Sequence, residues 1–232
     1  MCPFHNEREN LPELAGRLEK VVRALPGPAE LVLVDDGSTD GGAETLKPVL
    51  KSGITVSVLH LEERRGLTTA LYAGLQAAKG DVLATLDADL HNPPEEIPRL
   101  LSQLDDCDIV AGVRRRRDDD WLRRISSTIA NNIRRFVILD HIQDIGCSLR
   151  VFRRETLKSF YPYTGMHRFF LAVAEHDGFK IKQVPVDHEA RKRGKAKYGL
   201  LNRLLGPLWD LIAVRWLLTR RIQYKIRSME HG

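Results

Sequence analysis

The chain has 232 residues, 43% of them hydrophobic, with 36 basic and 31 acidic side chains and a formal net charge of +5. An apolar share of that size, with no low-complexity tract or fixed-period repeat, excludes collagen-like, coiled-coil and disordered architectures and bounds the answer at one large domain, or one domain with an appendage. The charge is polarised: residues 1–113 carry 10 basic and 19 acidic side chains, residues 114–190 carry 15 and 10, and residues 191–232 carry 11 and 2. A basic end of this kind attracts any polyanion, phosphorylated ligands and anionic lipid included, so nucleic acid is not an implied partner.

In chain order, Leu11, Leu14, Leu18, Val21, Val22 and Leu25 recur at three- and four-residue steps behind Asn10 and Glu13, which are placed as a capping pair. They predict an amphipathic helix. Glu30 to Val34 is a nearly continuous apolar run ending in Asp35-Asp36-Gly37-Ser38, the pattern of a buried parallel strand feeding a turn. The alternation continues with a helix near 40–52, a strand at 54–60, a helix at 66–79, a strand at 81–86, a helix at 94–104 and a strand at 108–112. Strands alternating with helices predict an α/β fold whose sheet is mostly parallel, with ligands beyond the carboxyl ends of the strands. Asp35-Asp36 and Asp87-Ala88-Asp89 fall at such ends.

Beyond residue 113 the pattern loosens. The charge run Arg114 to Asp120 reads as a solvated loop, followed by a helix to about Leu139, a β-like stretch from Cys147 to Phe152 and a strand from Ile181 to Val186. Arg191 to Gly199 is glycine-punctuated and strongly basic, and Leu200 to Leu218 predicts a last helix. Arg203, Asp210 and Arg215 inside it, with Gly206-Pro207, argue against a membrane span. Trp209 and Trp216, with leucines on one side and arginines on the other, fit an interfacial helix, although a helix packed on the protein's own core satisfies the same periodicity. Cys2, Cys107 and Cys147 are scattered without a C-x-x-C pair, which supports neither disulfides nor zinc and points to a reducing compartment. Met1 to Glu7 lack the apolar run of a signal peptide.

Asp87 and Asp89 place two hard oxygen donors at one strand end, which suits Mg²⁺ or Mn²⁺ shared with a diphosphate, because such ions take few protein ligands and complete their shell with phosphate and water. An isolated D-x-D is more often an acidic turn; its position after a buried strand, with a second acidic turn after another, tips the reading toward a site. His5, His91 and His188 are not spaced as a metal cluster.

Several segments together resemble family-2 glycosyltransferases. Pro3-Phe4-His5-Asn6-Glu7 is similar to their P-x-[YF]-N-E opening, Val34 to Gly41 to their V-D-D-G-S-x-D turn, and Asp87 to Glu96 to the D-A-D-L-[QH]-x-P-P-E of the polyprenyl-phosphate branch, which includes dolichyl-phosphate mannosyltransferases and undecaprenyl-phosphate glycosyltransferases. Gln143 to Arg150 resembles that branch's D-x-G-C-x-L-R, and Arg193 to Gly199 its R-x-G-x-S-K-Y, with Ala196 in place of serine. The resemblance implies a GT-A-like catalytic domain over 1–190, a basic membrane-facing appendage over 191–232, and transfer from a nucleotide-sugar to a polyprenyl phosphate at the cytoplasmic face of an anionic membrane. Pro3, Asn6, Glu7, Asp36, Gly66 and Asp87 would line the nucleotide-sugar pocket, while Asp87 and Asp89 hold the metal. For Gly66 a plain helix-starting turn is as good a reading. Arg150, inside an apolar stretch, is the sharpest candidate for the acceptor phosphate, with Arg123, Arg124, Arg134, Arg193 and Lys197 behind it. Asp144 is a general base, an orienting group, or the partner of Arg150 in an ion pair. The other readings kept are a family-2 transferase acting on a hydroxyl of a saccharide or lipid, and a non-catalytic nucleotide-sugar-binding module.

One part of the pattern is broken. Only Met1-Cys2 precede Pro3, where relatives run a central apolar strand into the motif, so an empty slot is expected between strands Leu31–Val34 and Val82–Leu86.

Overall fold

A computed structural model of the chain describes residues 1–51, 53–115, 132–189 and 205–220. The strands are β1 (Cys2–Phe4), β2 (Glu30–Asp35), β3 (Thr55–His60), β4 (Val82–Thr85), β5 (Ile109–Arg114), β6 (Arg150–Arg153) and β7 (Ile181–Val186). Helices α1 (Leu11–Ala24), α2 (Lys47–Leu50), α3 (Leu67–Ala77), α4 (Ile97–Leu101), α5 (132–138), α6 (Met166–His176) and α7 (Leu205–Thr219) connect or follow them. The expected helices near 40–52 and 94–104 are shorter, each entered through a 3₁₀ turn, Gly42–Leu46 and Pro94–Glu96. Pro48 and Pro98 sit in the first α-turn of each, where a missing N–H costs nothing.

β1, β2 and β3 pair in parallel, as do β5 and β7, whereas β6 lies antiparallel between β4 and β5. The expected slot is filled by the N-terminal residues themselves. Cys2, Pro3 and Phe4 stand opposite Leu33, Val34 and Asp35, while on the other side Leu86 N donates to Met1 O at 3.3 Å and Met1 N to Ala84 O at 2.7 Å. Three residues of strand thus join the β1–β3 group to the β4–β7 group, and Pro3, without an N–H, is accommodated because so short a strand asks little of the ladder. Pro3 and Phe4, expected in the motif loop, are strand.

One apolar layer packs α1 and α4 against the sheet through residues such as Leu14, Leu18, Leu33, Leu100 and Val110. The other packs α3, α6 and α7 through Leu75, Ile109, Phe152, Phe170, Leu211 and Val214. Helix α1 starts where its periodicity predicts, but Asn10 does not cap it: its Nδ2 donates to Glu7 Oε2 at 2.7 Å instead. Helix α7 bears out the core-packing reading of the C-terminal helix and leaves an exposed apolar face as well. Leu211 and Val214 bury against the core, while Trp209, Ile212 and Trp216 project outward at 72, 58 and 63% exposure. The tryptophans therefore lie opposite Leu211 rather than beside it. No described helix is long and apolar enough to cross a membrane.

Arg134 of α5 is not available to an acceptor phosphate. Its side chain is 4% exposed, Nη1 donates to both oxygens of a fully buried Asp140, and Nη2 donates to Ile142 O. Asp140→Asn leaves that guanidinium buried without its counter-charge and is expected to lower unfolding free energy by about 3–5 kcal/mol. The double replacement Arg134→Met with Asp140→Leu should recover most of it. Denaturant titration of both variants measures the difference, and a loss below about 1 kcal/mol for the single variant contradicts the burial of the pair.

Candidate functional site

The loops after β1, β2 and β4 converge at the carboxyl end of the sheet on a pocket of about 220 Å³. Pro3, Glu7, Asp36, Gly66, Asp87 and Asp89, all expected there, line it together. Asn6 does not; held at φ +53°, it receives Thr39 N on its Oδ1 at 2.8 Å, while its own N donates to Ser38 Oγ, so it ties the first loop to the second. Phe4, His5, Arg64, Leu67, Ala70 and Ala88 complete the lining; Phe4, His5 and Ala88 fall within the quoted motifs without having been assigned a role, and nothing in the sequence marks Arg64, Leu67 or Ala70 as pocket-facing before the loops are placed.

The acidic turn after β2 is braced from within. Asp35 Oδ1 accepts from Ser38 N at 2.8 Å, three residues on, and so spans the turn. Asp36, 4% exposed, accepts from Arg65 N at 2.7 Å and from Gly66 N at 2.9 Å, so its carboxylate shapes the 64–66 loop as well as facing the pocket. Gly37 has φ +63°, and an added Cβ would lie 2.6 Å from the backbone of Glu63 and Arg64. Only glycine admits so close an approach of the two loops. Gly66 combines φ +90° with open space around its Cα, so its need for glycine is conformational.

Asp87 stands at the end of β4 with its N–H donated to Ser148 Oγ at 3.0 Å. Ser148 Oγ also accepts from Asn92 Nδ2 at 3.1 Å, and Ser148 O accepts from Thr85 Oγ1 at 2.8 Å. The acceptor-side segment is therefore clasped directly onto the D-A-D turn. Burial, and then the neighbouring Asp89, push the Asp87 carboxyl up to about 6. A carboxylate whose charge is made costly by burial and by a neighbouring carboxylate is one that a cation relieves.

A second clasp joins the D-A-D turn to the chain beyond β7. Glu189 N donates to His91 O at 2.9 Å, His91 Nδ1 donates to Glu189 O at 2.8 Å, and the His91 and His188 rings stack at 4.9 Å. Arg17 bridges Glu95 and Glu189 at 2.6 and 2.9 Å. His91 Nε2 lies 3.7 Å from Asp89 Oδ2. The buried Nδ1 of His188 has no hydrogen-bond partner among the described residues. No three described His, Cys, Asp or Glu groups form a ready-made cation cage. Two carboxylates with imidazole nitrogens beside them are nevertheless a donor set that fits Mg²⁺ or Mn²⁺ when phosphate oxygens supply the rest of the shell. Spacing along the chain gave no sign of the histidine pair, because His91 and His188 meet only through the packing of β7's exit on this turn.

Two arginine expectations are corrected. Arg150 is 7% exposed and spends its donors inward: Nε on Cys147 O at 3.1 Å, Nη1 on His167 O at 2.9 Å and Nη2 on Ile145 O at 3.1 Å. It holds segment 145–147 and the start of α6, and it does not pair with Asp144. Asp144 is gripped instead by Arg114, Nε to Oδ2 at 2.7 Å and Nη2 to Oδ1 at 2.8 Å. Arg114, read from the sequence as the first residue of a solvated run, is the last residue of β5, which turns it inward under Gly146. Arg123, Arg124, Arg193 and Lys197 lie outside the described residues.

A family model described as Glycosyl transferase family 2 matches residues 1–160. Undecaprenyl-phosphate 4-deoxy-4-formamido-L-arabinose transferases of Edwardsiella ictaluri (strain 93-146) and Enterobacter sp. (strain 638) are 36 and 35% identical to the chain over 214 residues, which is 91% of this chain and 66 and 65% of theirs. The chain thus spans just under two thirds of the length of these relatives. Among solved structures, glucosyl-3-phosphoglycerate synthase from Mycobacterium tuberculosis, in complex with Mn²⁺, uridine diphosphate and glucosyl-3-phosphoglycerate, matches with a TM-score of 0.68 and 22% identity, covering 93% of this chain and 77% of that one. A mannosyltransferase from Pyrobaculum calidifontis in complex with GDP-Man and Mn²⁺ matches with a TM-score of 0.59 and 22% identity, covering 83 and 56%. At these identities the likeness is one of fold.

Proposed function

The chain belongs to glycosyl transferase family 2, and from that premise we propose that it moves a sugar, with inversion, from a nucleotide-sugar to a polyprenyl phosphate. The observation that carries the reading is the clasp of segment 144–150 onto the D-A-D turn through Ser148, which sets an acceptor-side segment against the wall that the nucleotide pocket shares at Asp87. The names of the relatives support a polyprenyl phosphate as acceptor. The fold is GT-A-like, an α/β sheet flanked by helices.

On this reading Pro3, Glu7, Asp36 and Gly66 bound the base and ribose side. Asp87 and Asp89, with His91 and His188 beside them, hold Mg²⁺ or Mn²⁺ against the diphosphate, and the bound ion supplies positive charge where the leaving nucleoside diphosphate gathers negative charge. An oxygen of the lipid phosphate attacks the anomeric carbon opposite the diphosphate, the new C–O bond forming as the old one breaks. That oxygen is already ionised at neutral pH, so no proton has to leave it. Asp144 then has no base to be, and its bidentate grip orients Arg114 at the acceptor side.

Assay of a panel of nucleotide-sugars with a short polyprenyl phosphate and Mn²⁺ tests the reading. One donor should give a phosphate-linked lipid product, and Asp89→Asn, which removes charge with little change of shape, should abolish its formation. Product from a saccharide acceptor alone, or undiminished product from the variant, contradicts the assignment. Asp144→Asn separates orientation from base catalysis. Orientation predicts a fall in kcat of about tenfold with an unchanged pH profile, whereas a lost base costs about 10²–10⁴-fold and removes the acidic limb.

The reading includes a peripheral seat at the cytoplasmic side of an anionic membrane. The exposed Trp209, Ile212 and Trp216 of α7, within a C-terminal region of 11 basic and 2 acidic residues, support it. Replacing both tryptophans by serine should release the chain from anionic vesicles at physiological salt, in sedimentation, without lowering its melting temperature. Equal sedimentation of the variant places the contact elsewhere.

A further inference from the structure

A second cavity, of about 260 Å³, lies beneath α3 and shares Leu67 and Asp87 with the nucleotide pocket. Its walls are Leu71 and Leu75 of α3, Leu86, Ile145, Phe152 and Phe170, with the acceptor segment 145–148 along one side. It is lined almost wholly by hydrocarbon, yet it borders the residue around which the chemistry of a transferase turns.

Most of the polar groups that line it are engaged within the protein. Arg150 places each of its three nitrogens on a carbonyl, of Cys147, His167 and Ile145. His167 Nδ1 is hydrogen-bonded to Thr68 Oγ1 at 2.7 Å, and Thr68 Oγ1 also accepts from Gly165 N at 2.9 Å. Burial pushes the His167 imidazole down to about 3, so it is neutral at working pH. Ser148 Oγ already accepts from Asp87 N and Asn92 Nδ2. A sugar here would give up water without matching hydrogen bonds, whereas a hydrocarbon chain gains by leaving water. An apolar protein cavity of about 150 Å³ holds benzene, so this one admits a branched chain of about five to ten carbons. At its rim Arg168 pairs with Asp210 of α7 at 3.7 Å, next to the exposed Trp209. The cavity thus borders Asp87 and, through Arg168 in its lining, lies one ion pair away from α7.

We propose that this cavity receives the phosphate-proximal isoprene units of the acceptor, so that the lipid's branched tail, and not its charge alone, sets the attacking phosphate beside Asp87. The inference rests on the polyprenyl-phosphate reading. It makes Leu71 and Ile145 specificity-determining residues for prenyl over non-prenyl phosphates.

Calorimetric titration with geranyl phosphate, inorganic phosphate and geraniol tests it, together with transfer assays to geranyl phosphate. Binding of UDP or GDP with Mn²⁺ serves as the control of folding. The wild-type chain should bind geranyl phosphate at least tenfold more tightly than inorganic phosphate, and geraniol should compete for it. Leu71→Phe and Ile145→Phe, which fill the cavity from opposite walls, should each weaken geranyl phosphate at least tenfold and leave nucleotide binding unchanged. Should one variant lose nucleotide binding, the other, and the geraniol competition in the wild-type chain, decide. Geranyl phosphate held equally well by a folded variant, or failure of geraniol to compete, overturns the cavity assignment alone when the wild type still transfers sugar to geranyl phosphate. A wild-type chain that neither binds geranyl phosphate nor glycosylates it overturns the acceptor reading, and this inference with it.

Discussion

The arrangement depends on the direction of one strand. In a parallel sheet the segment entering a strand lies at the end opposite to the ligand-binding carboxyl ends, and only the segment leaving it reaches the site. β6 runs antiparallel between β4 and β5, with Arg150 opposite Thr85 and Ala111, so the segment that enters it, 144–149, arrives where β4 and β5 end. Reversal of this single strand brings Ser148 onto Asp87 and Asp144 onto Arg114, through bonds of 3.0 and 2.7 Å. A β6 parallel to its neighbours would put the same residues at the far edge of the sheet.

The same reversal decides how the arginines are used. A guanidinium carries five donors and cannot shed its charge, so inside a protein it must find several acceptors at once. Arg150 enters the sheet beside a loop that is not in regular structure, and it takes two of its carbonyls, of Ile145 and Cys147, with the carbonyl of His167 in the first turn of α6 as the third. Arg134 closes the C-terminal turn of α5 in the same manner, with Asp140 as counter-charge. Arg114 grips Asp144 of segment 144–149 through both Nε and Nη2.

Elements with strong periodicity were legible: the strand at 30–34, the helices at 11–24 and 67–77, and the strands at 82–85 and 109–114 stand within a few residues of their expected bounds. The acidic turns were legible too, because a carboxylate pair at the end of an apolar run has few other meanings. What the sequence left open followed from contacts distant along the chain. Three residues of β1 are too few to show a pattern, and Cys2 to Phe4 become a strand only because β2 and β4 hold them on both sides. Arg150 looked like an anion site, or the partner of Asp144, because it lies inside an apolar stretch; its partners are backbone carbonyls, which a sequence does not display. His91 and His188, 97 positions apart, stack because Glu189 pairs with His91 through two backbone-directed bonds.

Helix α7 shows why periodicity alone could not assign a surface role. A helix apolar over most of its circumference satisfies an interior at Leu211 and Val214 and still has indoles to spare at Trp209 and Trp216. Its attachment is polar as well as apolar: Asp210 meets Arg168 and lies so close to Gly165 that a Cβ there would stand 2.5 Å from its carboxylate. Gly165, at φ +99°, is therefore required twice, by its backbone conformation and by the seat of α7. Because Arg168 also lines the apolar cavity and His167 next to it is hydrogen-bonded to Thr68 of α3, the first turn of α6 ties α7 to α3.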